Sequence, residues 1–484
     1  MISVACVLLI CSCTRDLKIT GSSDTSPEIF PDYRNVTVPY DIAPLNFMIE
    51  GEKDWALKIE SEDNVRFVQA DNGLFTFRGR FWKSVLKANK GSYITLTICF
   101  RDEGGWISCE PFRINVAEEE MDPYIVYRLI PPGYSLWKEM GIYQRKLSSY
   151  KENPIYRNTQ GRGNCVNCHS FNERDPQQML FHMRSEMTGT YMYRNGIKEK
   201  LDTKTDETIS TLVYPYWHDT GNYVVFSVNK TNQTMHVRNE NRIEVFDEAS
   251  DVVVYDVNAH EIVTSDVLSS EESFETFPTF SPDGRSLFFC SAEAVEPMPA
   301  KFREAKYSLC RVDFNPEDCS FGTKVDTLYN ARMEGRSVSF PRISPDGRFL
   351  VFALSEYGNF SIWHKDADLY SVDLKTGEIS SMEALNSDDV ESYHSWSGNS
   401  RWLVFSSRRD DGLYTKPYFS YIDEEGKAHK PFLLPQKNPR KYYDSQMYAY
   451  NIPEFVSGRV KLTGSEIADF ARTGESRKLK YRKR

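Results

Sequence analysis

The stretch that decides the fold reads Pro278-Thr-Phe-Ser-Pro-Asp-Gly-Arg-Ser-Leu-Phe-Phe289. Apolar residues stand on both sides of a Ser-Pro-Asp-Gly turn, a pattern that predicts a β-hairpin. The pattern recurs as Pro215-Tyr-Trp-His-Asp-Thr-Gly-Asn-Tyr-Val-Val-Phe226, Pro341-Arg-Ile-Ser-Pro-Asp-Gly-Arg-Phe-Leu-Val-Phe352 and His394-Ser-Trp-Ser-Gly-Asn-Ser-Arg-Trp-Leu-Val-Phe405. The four copies begin 63, 63 and 53 residues apart, which indicates a repeat architecture.

Each copy is followed by a second predicted hairpin, over residues 253–262, 309–321, 369–379 and 418–431. Four strands per repeat make one blade of a β-propeller. A fifth copy lies upstream, because His169-Ser-Phe171 aligns with His394-Ser-Trp396. We therefore expect a propeller of five or six blades over residues 165–455, with any sixth blade supplied by residues 118–164 or 442–455.

The fifth copy opens with Cys165-Val-Asn-Cys168-His169, the pattern of covalent haem attachment. Each thiol adds to one vinyl group of the porphyrin, and the imidazole becomes the proximal iron ligand. The alternatives are a redox dithiol and half of a zinc site, but zinc requires two further ligands at short spacing and none follows nearby. We predict one haem c per chain, attached through Cys165 and Cys168, with iron bound by His169 near one mouth of the channel.

The ligand on the opposite face of the iron would separate electron transfer from ligand binding. Side chains alternate along a strand, so Met179 and Met183 share a face while His182 points the other way. Met183 is the first choice. The remaining candidates are Met187, His218 and His394, and every one of these residues also has an ordinary structural explanation, as core filler or as a histidine hydrogen-bonded within its blade.

The N-terminus is typical of an exported lipoprotein. Residues 1–13 contain an apolar run too short to span a bilayer, which favours a signal peptide. The run ends in Leu9-Ile-Cys-Ser-Cys13, which resembles a bacterial lipobox, and the predicted acylation site is Cys13. Residues 14–33 are polar and predict a flexible tether.

Residues 34–117 contain six or seven short alternating runs, which predict an immunoglobulin-like β-sandwich. Trp55, Phe81, Trp82 and Trp106 would supply an aromatic platform for carbohydrate, or they are core residues. In an oxidising compartment two cysteine pairs would bridge hairpins, Cys99 with Cys109 and Cys310 with Cys319. Cys290 is then unpaired and is predicted to be a small buried apolar residue.

Two further segments complete the expected domain organisation. Residues 118–164 form an aromatic connector, in which residues 137–150 predict a short helix. Residues 456–484 form a basic tail that begins like a capped helix at Ser465 and is otherwise expected to be solvated.

The Ser-Pro-Asp-Gly repeats over residues 205–435 resemble those of TolB-type β-propellers. From Asp122 through the Cys-x-x-Cys-His motif into the repeats, the chain is similar to exported bacterial proteins described as cytochrome c-like or TolB-like. The resemblance implies a propeller fold, haem binding and electron transfer. It is specific for the fold and much less so for function, because propellers serve binding, scaffolding and catalysis alike.

Composition excludes some functions. A net charge of −10 and a pI near 5.5 argue against a nucleic-acid partner. The sequence has neither a Gly-x-Ser-x-Gly elbow nor a phosphate-binding glycine loop.

We expect a lipid-anchored protein of a Gram-negative cell envelope, facing the periplasm or on the outer membrane, that passes electrons to a redox partner or senses redox state. The alternatives are a haem-free binding or scaffolding propeller of an envelope complex, and a haem oxidoreductase.

Overall fold

The computed structural model describes residues 17–61, 64–132, 139–236 and 241–483, which form two compact units. The first unit comprises the described residues up to Glu118 together with Pro435–Ser445, and the second comprises Glu119–Leu434 and Gln446–Arg484. The chain is mainly β, as expected. None of the helices in the described ranges is long and apolar enough to cross a membrane.

The first unit consists of two sheets and two helices. Its strands are β1 (Ile19–Ser22), β2 (Ile29–Phe30), β3 (Thr37–Val38), β4 (Phe47–Ile49), β5 (Trp55–Ser61), β6 (Asn64–Gln69), β7 (Leu74–Phe75), β8 (Tyr93–Asp102), β9 (Gly105–Ser108) and β10 (Phe112–Val116). One sheet has the order β1-β9-β8-β10-β3, extended by β5 on β8 and β6 on β5, and the other has the order β2-β4-β7. The helices are Gly79–Ala88 and Pro439–Ser445.

This unit agrees with the expected two-sheet sandwich but corrects several details. The segment expected to be a tether contains β1 and β2, and β1 pairs in parallel with β9. The helix Gly79–Ala88 forms because Trp82 and Leu86, one turn apart, are both buried. Trp55 and Trp82 therefore belong to the core rather than to a carbohydrate platform.

The second unit is a propeller of six blades. Its strands are β11 (Tyr124–Ile130), β12 (Gly141–Lys146), β13 (Glu152–Arg157), β14 (Val166–Phe171), β15 (Gln178–Met183), β16 (Gly189–Arg194), β17 (Ile197–Asp202), β18 (Leu212–Trp217), β19 (Tyr223–Met235), β20 (Ile243–Asp256), β21 (Glu261–Thr264), β22 (Ser273–Phe280), β23 (Ser286–Glu293), β24 (Ser308–Asn315), β25 (Ser320–Phe321), β26 (Asp326–Tyr329), β27 (Ser337–Ile343), β28 (Phe349–Ser355), β29 (Asp368–Asp373), β30 (Ile379–Ser381), β31 (Glu391–Trp396), β32 (Trp402–Ser407), β33 (Lys416–Tyr421), β34 (Phe432–Leu433), β35 (Ala449–Val456), β36 (Ser476–Lys478) and β37 (Lys480–Lys483).

Blade 1 has the strand order β14-β15-β16-β17-β36, and blade 2 has the order β18-β19-β20-β21-β37. Blade 3 contains β22 to β26, blade 4 has the order β27-β28-β29-β30, and blade 5 has the order β31-β32-β33-β34. Blade 6 has the order β35-β11-β12-β13. The first strands β35, β14, β18, β22, β27 and β31 contact one another in that order and return to β35. These six strands therefore surround the channel.

Blade 6 joins the two ends of the propeller. Its innermost strand, β35, comes from the C-terminal part, and its three outer strands come from the expected connector. The two segments that the sequence offered as alternatives thus build one blade together. The helix predicted over residues 137–150 is wrong where the chain is described, because residues 141–146 form β12. A mixed blade of this kind closes the ring through main-chain hydrogen bonds.

The tail is also more ordered than expected. The capped helix expected from Ser465 spans Gly464–Thr473, and it starts with a reciprocal capping box between Thr463 and Glu466. Beyond it, β36 and β37 pair in parallel with the outer edges of blades 1 and 2. Residues 476–483 therefore cover two sheet edges rather than lying free in solvent.

The remaining helical pieces are short. An α-helical turn spans Ala331–Glu334, and 3₁₀ turns span Asn158–Gln160, Asn172–Arg174, Ser185–Met187, Phe302–Glu304 and Ser361–Trp363. In the repeated turns the serine and the acidic or amide residue two positions later are hydrogen-bonded, at 2.6 Å in Ser344–Asp346 and in Ser397–Asn399. The Ser-Pro-Asp-Gly signature thus forms and stabilises the turns.

The expected disulfides are absent. Cys99, Cys109 and Cys310 are free thiols, so neither of the two expected bridges forms. Cys290 is fully buried, in agreement with the prediction. Cys13 and the signal peptide lie outside the described residues, so their assignment stays a prediction.

Candidate functional site

Each channel-lining strand contains one non-glycine residue with a positive φ angle. These six residues are Cys168 (54°), Tyr214 (50°), Phe277 (47°), Phe340 (54°), Tyr393 (47°) and Ile452 (52°). At each of them the pairing with the neighbouring strand shifts register, as between Thr276 and Thr279 in blade 3. A bulge of this kind redirects a side chain at the expense of local strain, and such strain is typical of functional positions.

The six bulge residues form a ring inside the channel, called the bulge ring below. Ring centroids are 4.5 Å apart between Tyr214 and Phe277, 4.3 Å between Phe277 and Phe340, and 4.9 Å between Phe340 and Tyr393. Cys168 and Ile452 complete the ring between Tyr393 and Tyr214. Consecutive aromatic contacts at these distances are attractive and close-packed. The ring therefore narrows the channel to an apolar waist.

Two cavities meet at this waist. The thiol cavity has a volume of about 720 Å³ and is lined by Cys165, Cys168 and His182, among others. The carboxyl cavity has a volume of about 480 Å³ and is lined by His169, Arg342 and Glu454, among others. Four bulge-ring residues line both cavities: Cys168, Tyr214, Tyr393 and Ile452. Both volumes are in the range of small-molecule sites.

The Cys-x-x-Cys-His motif lies on the innermost strand of its blade, but it is divided by the bulge. Cys165 and Cys168 open into the thiol cavity, whereas His169 lies on the side of the carboxyl cavity. All three are nearly buried, with 5%, 7% and 2% of their surface exposed. Neither ring nitrogen of His169 makes a hydrogen bond of good geometry, although backbone groups of Ile452 and Val126 lie near enough to raise its pKa slightly. The structure therefore places both thiols on the thiol cavity and the predicted iron ligand on the carboxyl cavity, and Cys168 is shared by the two cavities.

The predicted distal ligand does not face either cavity. Met183 is fully buried in a cluster with Cys165, Met179 and Met187, where it fills the core of blade 1. His218 is hydrogen-bonded to Thr220 and to the carbonyl of Gly284, and His394 contacts the carbonyl of Val351 at 2.8 Å. These residues have the structural roles that the sequence left as alternatives.

His182 is the imidazole that the thiol cavity does contain. Its Nδ1 lies 3.2 Å from Oγ1 of Thr190, and its Nε2 is buried without a hydrogen-bond partner. His182 stands opposite Asn167 on the neighbouring strand, and Asn167 lies between the two cysteines in sequence. An unpartnered buried nitrogen is unusual and calls for a ligand, a proton donor or water.

Burial controls the protonation of these groups. It lowers the pKa of His182 to about 4 and that of His169 to about 3, in both cases with a smaller contribution from a nearby arginine. Burial also raises the pKa of the Cys168 thiol, although Arg184 and Arg128 partly oppose this. At neutral pH the imidazoles are therefore neutral and able to act as ligands, and Cys168 is a thiol.

The thiol cavity is basic in an otherwise acidic protein. Arg128, Arg184, Lys230 and Arg408 line it, and no carboxylate does so among the described lining residues. Arg408 is neutralised by Asp389 at 2.9 Å and Lys230 by Glu248 at 3.0 Å. Arg128 and Arg184 have no carboxylate within 4 Å in the described ranges. The cavity thus favours an anionic occupant.

The carboxyl cavity was missed at the sequence level. Glu173, Arg174 and Asp219 also line it, but three of its ionisable residues, Tyr216, Arg342 and Glu454, each stand two residues after a bulge-ring residue. Burial raises the pKa of Glu454 to about 8, while the amide of Phe171 and the charges of Arg342 and Arg174 act in the other direction. The repeat alignment contained the signal for Tyr216 and Arg342, but Glu454 belongs to the blade that the alignment did not resolve.

Comparison with known proteins supports no closer assignment. No family model matches the chain, and no curated protein matches it in sequence. Within the described ranges no three His, Cys, Asp or Glu residues form a group able to hold a metal ion. The assignment of a site therefore rests on the geometry described above.

Several solved structures have a similar backbone fold. An oligogalacturonate lyase in complex with manganese is 14% identical, with 70% of this chain and 85% of that chain covered and a TM-score of 0.38. A periplasmic gluconolactonase of Pseudomonas aeruginosa is 13% identical, with 65% and 97% covered and a TM-score of 0.34. A prolyl endopeptidase is 11% identical, with 65% and 42% covered and a TM-score of 0.35. This chain thus spans less than half of the endopeptidase, and at such low TM-scores the likenesses are no guide to activity.

Proposed function

We propose that this protein carries one covalently attached haem in the thiol cavity and serves in electron transfer or redox sensing at the cell envelope. The observation that supports this most is that Cys165 and Cys168 open into the same cavity, beside the unpartnered nitrogen of His182. Bound haem would supply a redox-active iron whose potential depends on its axial ligands and on burial.

The thiol cavity fits such a group in three respects. Its volume of about 720 Å³ suits a large planar cofactor, and both thiols line it. Each thiol would form one thioether, with sulfur bonded to a vinyl carbon and the thiol proton transferred to the other vinyl carbon. Arg128 and Arg184 would pair with carboxylates such as the two propionates.

The fit fails in one respect, the position of His169. This imidazole lies beyond the bulge at Cys168, so coordination by His169 requires the start of β14 to adopt another path. His182 needs no such change. The proposal therefore assigns attachment to Cys165 and Cys168, and it leaves the choice between His169 and His182 as iron ligand to experiment.

The test is intact mass after denaturation, together with the reduced spectrum in alkaline pyridine. The full chain is expressed with an export signal in a strain that matures c-type cytochromes. We expect the mass of one haem to persist in the natural sequence and to be absent from the variant Cys165→Ser/Cys168→Ser. Cys290→Ser, which changes a buried thiol elsewhere, is the matched control and should keep the haem. An unmodified mass of the natural protein, without visible absorption, would contradict the proposal.

The iron ligand is tested by spectra of His169→Gln and His182→Gln. Loss of a low-spin spectrum in only one variant identifies the ligand, because removing one axial nitrogen leaves the other face unchanged. Retention of the same spectrum in both variants would exclude both residues.

A second candidate is a haem-free binding propeller of an envelope complex, favoured by the cations of the thiol cavity that lack carboxylate partners. An anionic ligand would then raise the melting temperature of the haem-free protein by mass action. Inorganic phosphate and citrate are suitable probes, with Arg128→Gln expected to abolish the shift and exposed Arg285→Gln expected to keep it. No shift with either anion would count against this candidate.

The proposed location also has a direct test. Acylation of Cys13 would anchor the protein to a membrane, with the propeller outside the bilayer. Cys13→Ser should release the exported protein into the soluble periplasmic fraction, whereas Cys11→Ser should leave it with the membranes. Equal fractionation of the two variants would exclude the anchor at Cys13.

A further inference from the structure

A second set of equivalent residues lies two positions beyond the bulge ring. In blade order from 1 to 6 they are Ser170, Tyr216, Thr279, Arg342, Ser395 and Glu454. Five of them line the carboxyl cavity, and Thr279 is fully buried beside it. Large ionisable side chains on blades 2, 4 and 6 thus alternate with small hydroxyl side chains on blades 1, 3 and 5.

The three large side chains converge across the channel. The guanidinium of Arg342 lies 5.2 Å from the ring centroid of Tyr216, although their blades are not adjacent. The same guanidinium is within electrostatic reach of Glu454 from the other side. The three groups therefore face a common space and are not dispersed over separate blades.

Arg342 has no carboxylate within ion-pair distance in the described part of the chain. Its guanidinium donates to the carbonyl of Pro341 at 2.8 Å, and burial lowers its pKa. A buried guanidinium without a carboxylate is costly, and its fork of donors matches a carboxylate in two-point geometry. A ligand carboxylate would supply the ion-pair partner that Arg342 does not have among the described residues.

The opposite side of the ring is rich in neutral hydrogen-bonding groups. Glu454 stands between Ser395 and Ser170 in blade order, and one of its carboxyl oxygens accepts the amide of Phe171 at 3.1 Å. With a raised pKa, the carboxyl is protonated at neutral pH in the empty cavity and can both donate and accept. Such a group binds ligand hydroxyls better than it binds a second anion.

Aromatic walls enclose this space. Trp396 lines the cavity and is fixed by a hydrogen bond from its Nε1 to the carbonyl of Arg342, at 3.2 Å. Phe280 and Tyr216 line the cavity on other blades. Flat apolar walls with a few polar groups at opposite ends are typical of sites for small ring-shaped ligands.

We propose that the carboxyl cavity binds a small hydroxylated carboxylic acid, with the ligand carboxylate on Arg342 and the ligand hydroxyls on Glu454 and its flanking serines. This site is separated from the thiol cavity by the bulge ring and does not depend on haem. It would give the propeller a ligand-responsive channel in addition to any redox role.

The test uses D-glucuronate as probe and D-glucose as the matched ligand that lacks the carboxylate. Binding to the full chain is followed by calorimetry and by the fluorescence of Trp396, with Trp396→Phe identifying its signal. We expect glucuronate to bind and glucose to bind about tenfold more weakly or not at all, because a charge-assisted pair is lost. No binding of glucuronate at millimolar concentration, or equal binding of glucose, would overturn the proposal.

Variants separate the two ends of the site. Arg342→Gln should weaken glucuronate binding by about tenfold or more, and Arg342→Lys should recover only part of the loss because it lacks the planar fork. Glu454→Gln should retain binding within about threefold, since an amide still donates and accepts. Unchanged affinity in a folded Arg342 variant would also contradict the site, and a melting curve of each variant establishes folding.

Discussion

His169 and His394 occupy equivalent positions in blades 1 and 5. Each directly follows a bulge-ring residue with positive φ, and each is 2% or 3% exposed. In the other four blades a proline stands at this position, as in Pro278 and Pro341. A histidine is thus an accepted structural residue at this point of a blade. The histidine of the haem motif therefore has a packing role that His394 performs without any neighbouring cysteine.

The two histidines give the protein a predictable sensitivity to acid. Their folded pKa of about 3 lies below the ordinary value of 6.5, so the unfolded state binds more protons between these values. The free energy of unfolding is therefore undiminished above pH 6.5 and decreases as the pH falls below it.

Between pH 8 and pH 5 we expect each buried histidine to account for about 2 kcal/mol of this loss. Urea unfolding of the natural protein and of His394→Leu at both pH values measures the difference. His429→Leu, at a more exposed histidine, is the control. An equal pH dependence of natural protein and His394→Leu would show that His394 is not buried in its neutral form.

Glu454 should have the opposite dependence. Its folded pKa of about 8 exceeds the ordinary 4.5, so the folded state holds the proton longer and this group destabilises the fold as the pH rises from 4.5 to 8. The surrounding groups that moderate the shift are the amide of Phe171 and the cations Arg342 and Arg174.

We therefore expect Glu454→Gln to raise the free energy of unfolding at pH 8 by about 2 to 4 kcal/mol relative to its effect at pH 5. Asp283→Asn is a useful contrast, because the hydroxyl of Ser281 holds the pKa of Asp283 below its usual value and the variant should lose stability at neutral pH. Denaturant unfolding at the two pH values measures whether each variant gains or loses unfolding free energy.

The bulge ring should be a major contributor to stability. Phe277 is 1% exposed and packs between Tyr214 and Phe340 at centroid distances of 4.5 Å and 4.3 Å. Phe277→Ala removes both contacts and leaves a void at the waist, so we expect a loss of about 3 to 5 kcal/mol in unfolding free energy. Val65→Ala at an exposed position is the control, with an expected effect below about 0.5 kcal/mol. A cost near that of the control would mean that the ring is not packed.

Closure of the propeller should depend on β35 and not on the terminal edge strands. In blade 6, β35 pairs with β11, and Tyr450 is fully buried at a centroid distance of 4.7 Å from Tyr127. Truncation after Gln446 removes this strand, and we expect it to abolish cooperative unfolding. Truncation after Gly474 removes only β36 and β37, and we expect it to lower the melting temperature by a few degrees. Calorimetry of both truncated chains is the measurement, and a folded shorter chain would contradict the closure.

The sequence predicted those features that repeat locally. The Ser-Pro-Asp-Gly hairpins, the buried second strands such as Leu350–Phe352, and the blade hidden at His169 follow from turn chemistry and alternation over about a dozen residues. A capped helix was predicted from Ser465 for the same reason, because capping signals lie within a few residues, and the structure identifies Thr463 and Glu466 as the capping pair.

The sequence could not predict contacts between segments that are distant along the chain. It presented β11 to β13 and β35 as two alternatives for a blade, since nothing in a single segment says that residues 124–130 and 449–456 pair. It also joined Cys165, Cys168 and His169 into one site by adjacency. In the structure Cys165 lines the thiol cavity, His169 lines the carboxyl cavity, and Cys168, at the bulge between them, lines both.

The sequence by itself therefore determined the β-propeller and the stretch of chain on which its thiols lie. Only the tertiary structure decided which side chains share a cavity. Local hydrogen bonding and apolar periodicity fix a hairpin wherever it occurs, whereas the grouping of Cys168 with His182, or of Arg342 with Glu454, depends on six strands meeting around one axis. That meeting is set by the packing of whole blades against one another, and no short run of residues specifies it.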